Sequence, residues 1–270
     1  MFNDFFLNKK VLITGHTGFK GSWLSNWLQL AGSQVYGVSL PSATNPSHFE
    51  ELKIKDKVTS HFIDIRNFEN FNKVIDDISP DFIFHLAAQA LVGKAYENSL
   101  LTYQTNFMGT LNLLESLKKN KKKCTVILIT SDKCYENKEW IWGYKETDDL
   151  GGIDPYSASK GASEIMIRSQ ILSFFPKNGD IKIGIGRAGN VIGGGDWSEK
   201  RIIPDAMRAW SKNKSLELRN PLATRPWQHV LEPLSGYILL SAKLRENPKR
   251  YSGSWNFGPS SSEVRTVNEV

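Results

Sequence analysis

The strongest constraint on the fold is an alternation. Short apolar runs, each too short for a helix, recur between longer stretches with helical spacing. Val11-Leu12-Ile13-Thr14 is the first run and Val35 to Leu40 the second. His61-Phe62-Ile63, Phe82-Ile83-Phe84-His85-Leu86, Thr125-Val126-Ile127-Leu128-Ile129-Thr130 and Ile181 to Ile185 follow. Trp23, Leu24, Trp27 and Leu28 line one face of a helix from Gly21 to Leu30. Phe68, Phe71, Val74, Ile75 and Ile78 make a second stripe. Longer helices are predicted from about Leu100 to Lys119 and from about Pro155 to Phe175. Continuously apolar strands joined by helices require a parallel sheet covered on both faces. The predicted fold class is therefore α/β, a doubly wound parallel sheet. After Arg187 the pattern loosens into Gly, Pro, Trp and Arg. Residues 1–187 are expected to form the sheet domain and 188–270 a smaller C-terminal lobe. No Pro-rich or Ser-rich linker divides them, so the two should pack tightly. Thr266-Val267-Asn268-Glu269-Val270 reads as the opening of a helix, so the lobe is expected to be incomplete.

Between the first strand and its helix stands Gly15-His16-Thr17-Gly18-Phe19-Lys20-Gly21. Glycines there allow a tight turn and bring backbone N–H groups close to a pyrophosphate at the helix N-terminus. A plain strand-to-helix turn would also use glycine; the strand-then-helix context favours the cofactor reading and a Rossmann-like sheet. The G-x-x-G-x-x-G spacing resembles that of the short-chain dehydrogenase/reductase superfamily. An acid about twenty residues on usually binds the adenosine ribose. Here the second strand ends Val38-Ser39-Leu40-Pro41, where Ser39 can bond a ribose hydroxyl and no arginine waits for a 2′-phosphate. NAD is therefore expected rather than NADP. Asp64-Ile65-Arg66 can touch an adenine, and Asp64 can equally cap a helix. Leu86-Ala87-Ala88 provides small side chains where a dinucleotide would cross the strand ends. Asn106 is polar within a helix that otherwise reads as packed, and on sequence alone it is either a site residue or a surface residue.

Composition narrows the class. A chain of 270 residues, 40% hydrophobic, can bury a full core. Two cysteines, Cys124 and Cys134, are too few for a disulfide framework and point to a reducing, cytoplasmic compartment. No apolar stretch is long enough to span a bilayer, and the N-terminus lacks the basic start of a signal peptide, so no membrane partner is expected. The net charge of +6 is modest, and Lys118-Lys119-Asn120-Lys121-Lys122-Lys123 reads as a solvated connection rather than a nucleic-acid patch. No His/Cys/Asp cluster has ligand spacing, so no metal is expected.

The chemistry gathers after the fifth strand, in Ser131-Asp132-Lys133-Cys134-Tyr135, and in Tyr156-Ser157-Ala158-Ser159-Lys160. Tyr156 and Lys160 lie one helical turn apart, so a cation can help the phenol act as a base. Asp132 and Lys133 supply a second acid and base. One proton-transfer pair suits alcohol oxidation; two suit oxidation followed by elimination. Asp132-Lys133 could also be a strand-end turn with a surface ion pair.

These motifs, with Arg187-Ala188-Gly189-Asn190-Val191-Ile192-Gly193, resemble the extended short-chain dehydrogenases/reductases that act on nucleotide sugars. More narrowly, Thr130 to Trp140, Gly193-Gly194-Gly195-Asp196-Trp197 and Arg225-Pro226-Trp227-Gln228-His229-Val230 resemble the CDP-glucose 4,6-dehydratase family. The resemblance covers essentially the whole chain. It implies NAD held by Gly15, Thr17, Gly18, Phe19, Gly21, Ser39, Asp64, Ile65, Leu86, Ala87, Ala88, Asn106, Tyr156 and Lys160. It implies that Tyr156 takes the 4-hydroxyl proton and Lys160 holds the nicotinamide ribose. Ser131 would polarise the 4-oxygen, Asp132 would protonate the leaving 6-hydroxyl, and Lys133 would take the C5 proton or steady the enolate. Asn190, Arg201 and Arg225 are the expected contacts of a nucleotide-diphosphate sugar, with Arg219 and His229 as further candidates. The helix carrying Tyr156 and the one before it imply a homodimer. Other readings remain open: a UDP-N-acetylglucosamine or dTDP-glucose 4,6-dehydratase, a 4-epimerase, or a catalytically dead NAD-binding module.

Overall fold

The computed structural model describes residues 3–270. In chain order the strands are β1 (Lys10–Thr14), β2 (Gln34–Ser39), β3 (Thr59–Phe62), β4 (Phe82–His85), β5 (Cys124–Ile129) and β6 (Ile181–Ala188). They continue as β7 (Val191–Ile192), β8 (Thr224–Arg225), β9 (Gln228–His229), β10 (Gly253–Phe257) and β11 (Arg265–Thr266). The central sheet has seven strands in the order β10-β6-β5-β4-β1-β2-β3. Every pairing within it is parallel. Strand order reverses at β1, between β2 and β4, and a crevice opens beyond the strand ends there.

Alternate residues of β1 feed two cores. Val11 and Ile13 pack with Phe84, Leu24, Leu28, Leu234 and Tyr237 on one face. Leu12 packs with Val38, Ile83, Phe71, Leu113 and Ile167 on the other. This double burial is why the strands read as continuous apolar runs. The helix Phe19–Leu30 buries Leu24 and Leu28, while Trp23 and Trp27 only pack against the core's margin.

Two features depart from the expectation. The long helix near residues 100–119 is interrupted: Ser99–Tyr103 leads into a π-helical turn, Gln104–Met108, before Gly109–Asn120. The division at Arg187 also misplaces part of the chain. Helix Leu231–Glu246 buries Leu234, Tyr237, Ile238, Leu240 and Leu244, and β10 then pairs with β6 as the outer strand of the sheet. Residues 231–257 thus return to the sheet domain. Their apolar pattern is short and broken by Gly, Ser and Asn, so it did not read as a strand. The smaller lobe holds helix Ile202–Trp210, the parallel pair β7–β9 and the antiparallel pair β8–β11.

Candidate active site

The chain leaves β5 through Thr130 into a single 3₁₀ turn, Asp132–Cys134. Ser131 caps that turn: its Oγ accepts from the Lys133 N–H at 3.3 Å and donates to Asp132 Oδ1 at 3.0 Å. The Lys133 ammonium lies 3.5 Å from Asp132 Oδ1 and 3.4 Å from Asn190 Oδ1. Asp132 and Lys133 are each about a third exposed, so the pair faces a solvent-reachable cleft. Gly189 is pressed against them. A Cβ there would fall 3.0 Å from Asp132 Oδ2 and 2.6 Å from a Pro226 ring carbon.

A buried ion pair braces this turn from behind. Arg187 donates Nε to Glu164 Oε1 and Nη2 to Glu164 Oε2, both at 2.8 Å, with the side chains 3% and 2% exposed. Thr130 Oγ1 donates to the same carboxylate, and Arg187 Nη1 donates to the Tyr135 hydroxyl at 2.7 Å. The pair therefore grips the Asp132–Cys134 turn at both ends. Sequence reading missed it; the available signal was a charge of each sign within elements otherwise predicted to be packed.

Helix Pro155–Phe174 starts cleanly, with proline in its first turn and Asp154 as its cap. Asp154 Oδ1 accepts from the Tyr156 and Ser157 N–H groups at 2.9 and 3.0 Å. Tyr156 and Lys160 are both buried. Burial pushes the Tyr156 phenol up to about 12; Ser131 and Arg201 pull it down, and Asp132 and Asp154 push it up. Burial also lowers Lys160 to about 8, partly offset by Glu164 and Cys134. Lys160 Nζ donates to the Ile129 carbonyl at 3.4 Å. The two residues share a helix face as expected, but Lys160 is not among the charges that offset the burial of Tyr156.

Asn106 sits in the π turn, buried and fully engaged. Its Nδ2 donates to Gln89 O at 3.0 Å and to Ser159 Oγ at 2.9 Å, and its Oδ1 accepts from Gln89 N at 2.8 Å. It ties the strand end after β4 to the tyrosine helix. The π turn explains why a polar residue points inward on a face that α-helical spacing would make apolar.

On the cofactor side, Gly15 has φ +75°, and a Cβ there would lie 2.8 Å from Ala87 N. A Cβ on Gly21 would lie 2.0 Å from Gly15 O. The glycines are thus required for the turn to close against the end of β4. Gly18 caps helix Phe19–Leu30 without a side-chain bond, and the first turn holds no acid. The N–H groups of a helix's first turn lack intrahelical acceptors and its dipole favours an anion, so these residues fit a dinucleotide's diphosphate. Thr17 Oγ1 and Ser39 Oγ lie 2.6 Å apart, and both are within bonding distance of Leu40 O, so one hydroxyl donates to the other and the second donates to the carbonyl. Asp64 forms a bidentate pair with Arg66, whose guanidinium holds its pKa low. The cap of helix Phe68–Ile78 is Asn67, so Asp64 does not serve there. Ile65 is buried and packs where a Cβ on Gly109 would meet it at 2.4 Å. Leu86, Ala87 and Ala88 follow β4 at the crevice and are only partly buried.

The substrate-side candidates are less concentrated. Arg201 is half-buried and bonds Asp196 Oδ2 at 2.9 Å, while its charge acts on Tyr156. Arg225 Nη1 donates to Thr224 O at 2.6 Å, and Arg219 Nη2 donates to Lys200 O at 3.2 Å at an exposed position. His229 is exposed; its ring stands edge-on to Trp23 at 6.3 Å and its Nδ1 accepts from Leu231 N. Asn190 therefore lies beside Lys133 and Arg201 within electrostatic reach of Tyr156, while Arg219 is exposed. Among the described residues no group of His, Cys, Asp or Glu is arranged to hold a metal ion, and no helix is long and apolar enough to cross a membrane.

The GDP-mannose 4,6-dehydratase family model matches residues 12–252. The chain belongs to this family. It is 48% identical over 271 residues to the CDP-glucose 4,6-dehydratase of Salmonella typhimurium, covering 99% of this chain and 76% of that one. It is 28% identical over 237 residues to a GDP-mannose 4,6-dehydratase of Sordaria araneosa, covering 86% of this chain and 42% of that one. Among solved structures, the UDP-N-acetylglucosamine 4-epimerase of Methanobrevibacter ruminantium, in complex with UDP-N-acetylmuramic acid, superposes with TM-score 0.81 at 25% identity. That match covers 97% of this chain and 80% of the epimerase. The dTDP-glucose 4,6-dehydratase DesIV of Streptomyces venezuelae, with NAD and TYD bound, shares the fold at TM-score 0.80 and 20% identity, covering 96% of this chain and 78% of its own.

Proposed function

We propose that the protein converts CDP-glucose to CDP-4-keto-6-deoxyglucose with NAD as a returning hydride carrier. The observation that carries this reading is the Ser131-Asp132-Lys133 turn beside Tyr156, in a chain 48% identical to a CDP-glucose 4,6-dehydratase. A 4-epimerase needs the tyrosine alone; a dehydratase needs a second acid and base, and Asp132 and Lys133 face the same cleft.

When bound, NAD supplies the acceptor and later the donor of the hydride, and its oxidised ring is cationic. Gly15, Thr17, Gly18, Phe19 and Gly21 would hold its diphosphate. Ser39, Asp64, Ile65, Leu86, Ala87 and Ala88 would line its path, with Asn106 bracing the strand end behind them, and Lys160 would hold the ribose next to Tyr156. Tyr156 takes the 4-hydroxyl proton. A phenol held up to about 12 does this poorly near neutrality, so the reading requires added positive charge in the loaded pocket. Ser131 donates to the developing 4-ketone, which acidifies the C5 proton. Once the Lys133 ammonium has passed a proton to the Asp132 carboxylate 3.5 Å away, the neutral amine removes the C5 proton and the Asp132 carboxylic acid protonates the departing 6-hydroxyl; if Lys133 stays an ammonium, it steadies the enolate instead. Asn190, Arg201 and Arg225 grip the nucleotide diphosphate, with Arg219 and His229 at its outer edge.

The assembly proposed is a homodimer. Ile165 and Leu172 are 61% and 74% exposed on the tyrosine helix, and Leu100 on the adjoining helix is 67% exposed. The buried free thiols Cys124 and Cys134 suit a cytoplasmic, reducing compartment.

The test is direct. The protein is incubated with CDP-, dTDP- and UDP-glucose, and the alkaline ultraviolet absorbance of a 4-keto-6-deoxy product is followed. Product from CDP-glucose in preference to the others is expected. Faster turnover of another nucleotide would reassign the substrate, and none from any of them would leave the dead-module reading.

A further inference from the structure

Lys20 lies in the first turn of helix Phe19–Leu30, within the glycine motif, yet its ammonium ends on the Tyr156 side of the pocket. Its Nζ donates to the Tyr237 hydroxyl at 3.3 Å and stands 5.6 Å from that ring's centroid. Tyr237 is wholly buried on helix Leu231–Glu246. Its ring lies over β6, where a Cβ on Gly186 would come within 2.8 Å of it. Lys20 thus spans from the diphosphate end of the crevice to the strand beside Asp132. Among the described residues no carboxylate reaches it at ion-pair distance. The charges that act on it are Asp132, which favours its ammonium, and Arg201, Lys160 and Lys133, which oppose it. Burial is the largest influence and lowers it to about 8, which still leaves it mainly charged at neutral pH. An unpaired cation among three other cations is costly and calls for a ligand that uses it.

We propose that Lys20, anchored on Tyr237, is a charge-positioning residue that makes this pocket hold the reduced dinucleotide more tightly than the oxidised one. The proposal rests on the nicotinamide-dinucleotide reading above. A dinucleotide lying from Gly15–Gly21 to Tyr156 must pass this ammonium. The diphosphate carries the same charge in both redox states, so any attraction to it cancels in the comparison. The ring differs by one positive charge. A fixed cation therefore disfavours the oxidised form selectively, with an energy set by Coulomb's law in a partly screened medium. The consequence for the reaction is a bias toward oxidation of the 4-hydroxyl. Two electrons and the C4 hydrogen leave as hydride to the ring, and the O–H proton goes to Tyr156. This step is the harder to start when the tyrosine is held as high as it is here.

The test is ligand titration rather than turnover. NAD, NADH and ADP-ribose, which has the diphosphate but no nicotinamide, are titrated calorimetrically into unmutated protein, Lys20→Met, Lys20→Arg and Tyr237→Phe. The preference for NADH over NAD is expected to fall about tenfold in Lys20→Met and to survive in Lys20→Arg. Tyr237→Phe should lower it by a smaller factor, because the anchor is lost but the charge remains; this variant also stands in if Lys20→Met folds poorly. Equal weakening of all three ligands would make Lys20 a diphosphate contact and overturn the proposal, as would an unchanged preference. Unmutated protein that binds none of the three would overturn the cofactor reading itself, and this inference with it.

Discussion

The Lys133 ammonium lies within 3.5 Å of both Asp132 Oδ1 and Asn190 Oδ1. Three groups from two separate segments therefore meet at one point of the cleft. Lys133 comes from the turn after β5 and Asn190 from the turn after β6, which is the adjacent strand. If Lys133 serves only the elimination, Lys133→Met should leave oxidation at C4 intact. NADH absorbance should rise on the enzyme while the 6-deoxy product falls about 10²- to 10⁴-fold. Tyr156→Phe should show neither signal. A Lys133→Met enzyme making product at the unmutated rate would return the pair to a strand-end turn.

The Glu164–Arg187 pair should dominate the stability of the turn after β5. Glu164→Ala leaves a buried guanidinium without its carboxylate, and the expected loss is about 3–5 kcal/mol. Thr130 and Tyr135 also lose a partner or a fixed neighbour. Denaturant unfolding of Glu164→Ala, Arg187→Met and the double variant checks this. The double variant should be more stable than the sum of the single losses predicts, because the orphaned charge is gone. Strict additivity would mean that the two residues do not act as a pair.

The sheet was legible because its strands are buried on both faces, which leaves uninterrupted runs such as Thr125 to Ile129. The tyrosine helix was legible as a stretch from about Pro155 to Phe175 that carries the Tyr156–Lys160 spacing; its Asp154 cap emerged only in the structure. β10 was not, since Gly253, Ser254 and Asn256 dilute the run and only its pairing with β6 makes it a strand. Lys20 could not be placed because the sequence does not reveal which way a side chain leaves a glycine turn. Tyr237 supplies the direction, and it lies 217 residues away. The Glu164–Arg187 pair is likewise a long-range fact. Asn106 was ambiguous because a π turn shifts the helical register by one residue.

Stability of the ligand-free protein should rise between about pH 8 and 9. Burial holds Lys160 near 8, whereas the unfolded ammonium titrates near 10.5. Below 8 both states carry the charge. Above it the folded protein sheds a proton that the unfolded chain keeps, so stability increases with pH. Lys20 acts in the same sense. The buried thiols oppose this once the unfolded cysteines ionise near 9, because Cys134 stays protonated in the fold up to about 12 and Cys124 higher still. The slope is at most about 1.4 kcal/mol per pH unit for each lysine. Denaturation midpoints measured at intervals across this range test it. Lys160→Met should flatten the rise, and a midpoint that falls steadily from neutrality would contradict it.

The proposed dimer should part when a charge is placed on the exposed stripe of the tyrosine helix. Ile165 and Leu172 lie seven residues apart on helix Pro155–Phe174, hence on one face two turns apart. Both are exposed, and Leu100 and Tyr103 lie on the helix packed beside it. Such a stripe costs solubility in a monomer and gains when a second copy covers it. Ile165→Glu would bury a carboxylate in that contact, at a cost large enough to shift a micromolar dimer to monomer. Sedimentation equilibrium at micromolar concentration should give twice the chain mass for the unmutated protein and the single-chain mass for Ile165→Glu. The variant should keep its secondary structure, since position 165 points away from both cores. A single-chain mass for both proteins would remove the dimer from the proposal while leaving the active-site reading untouched.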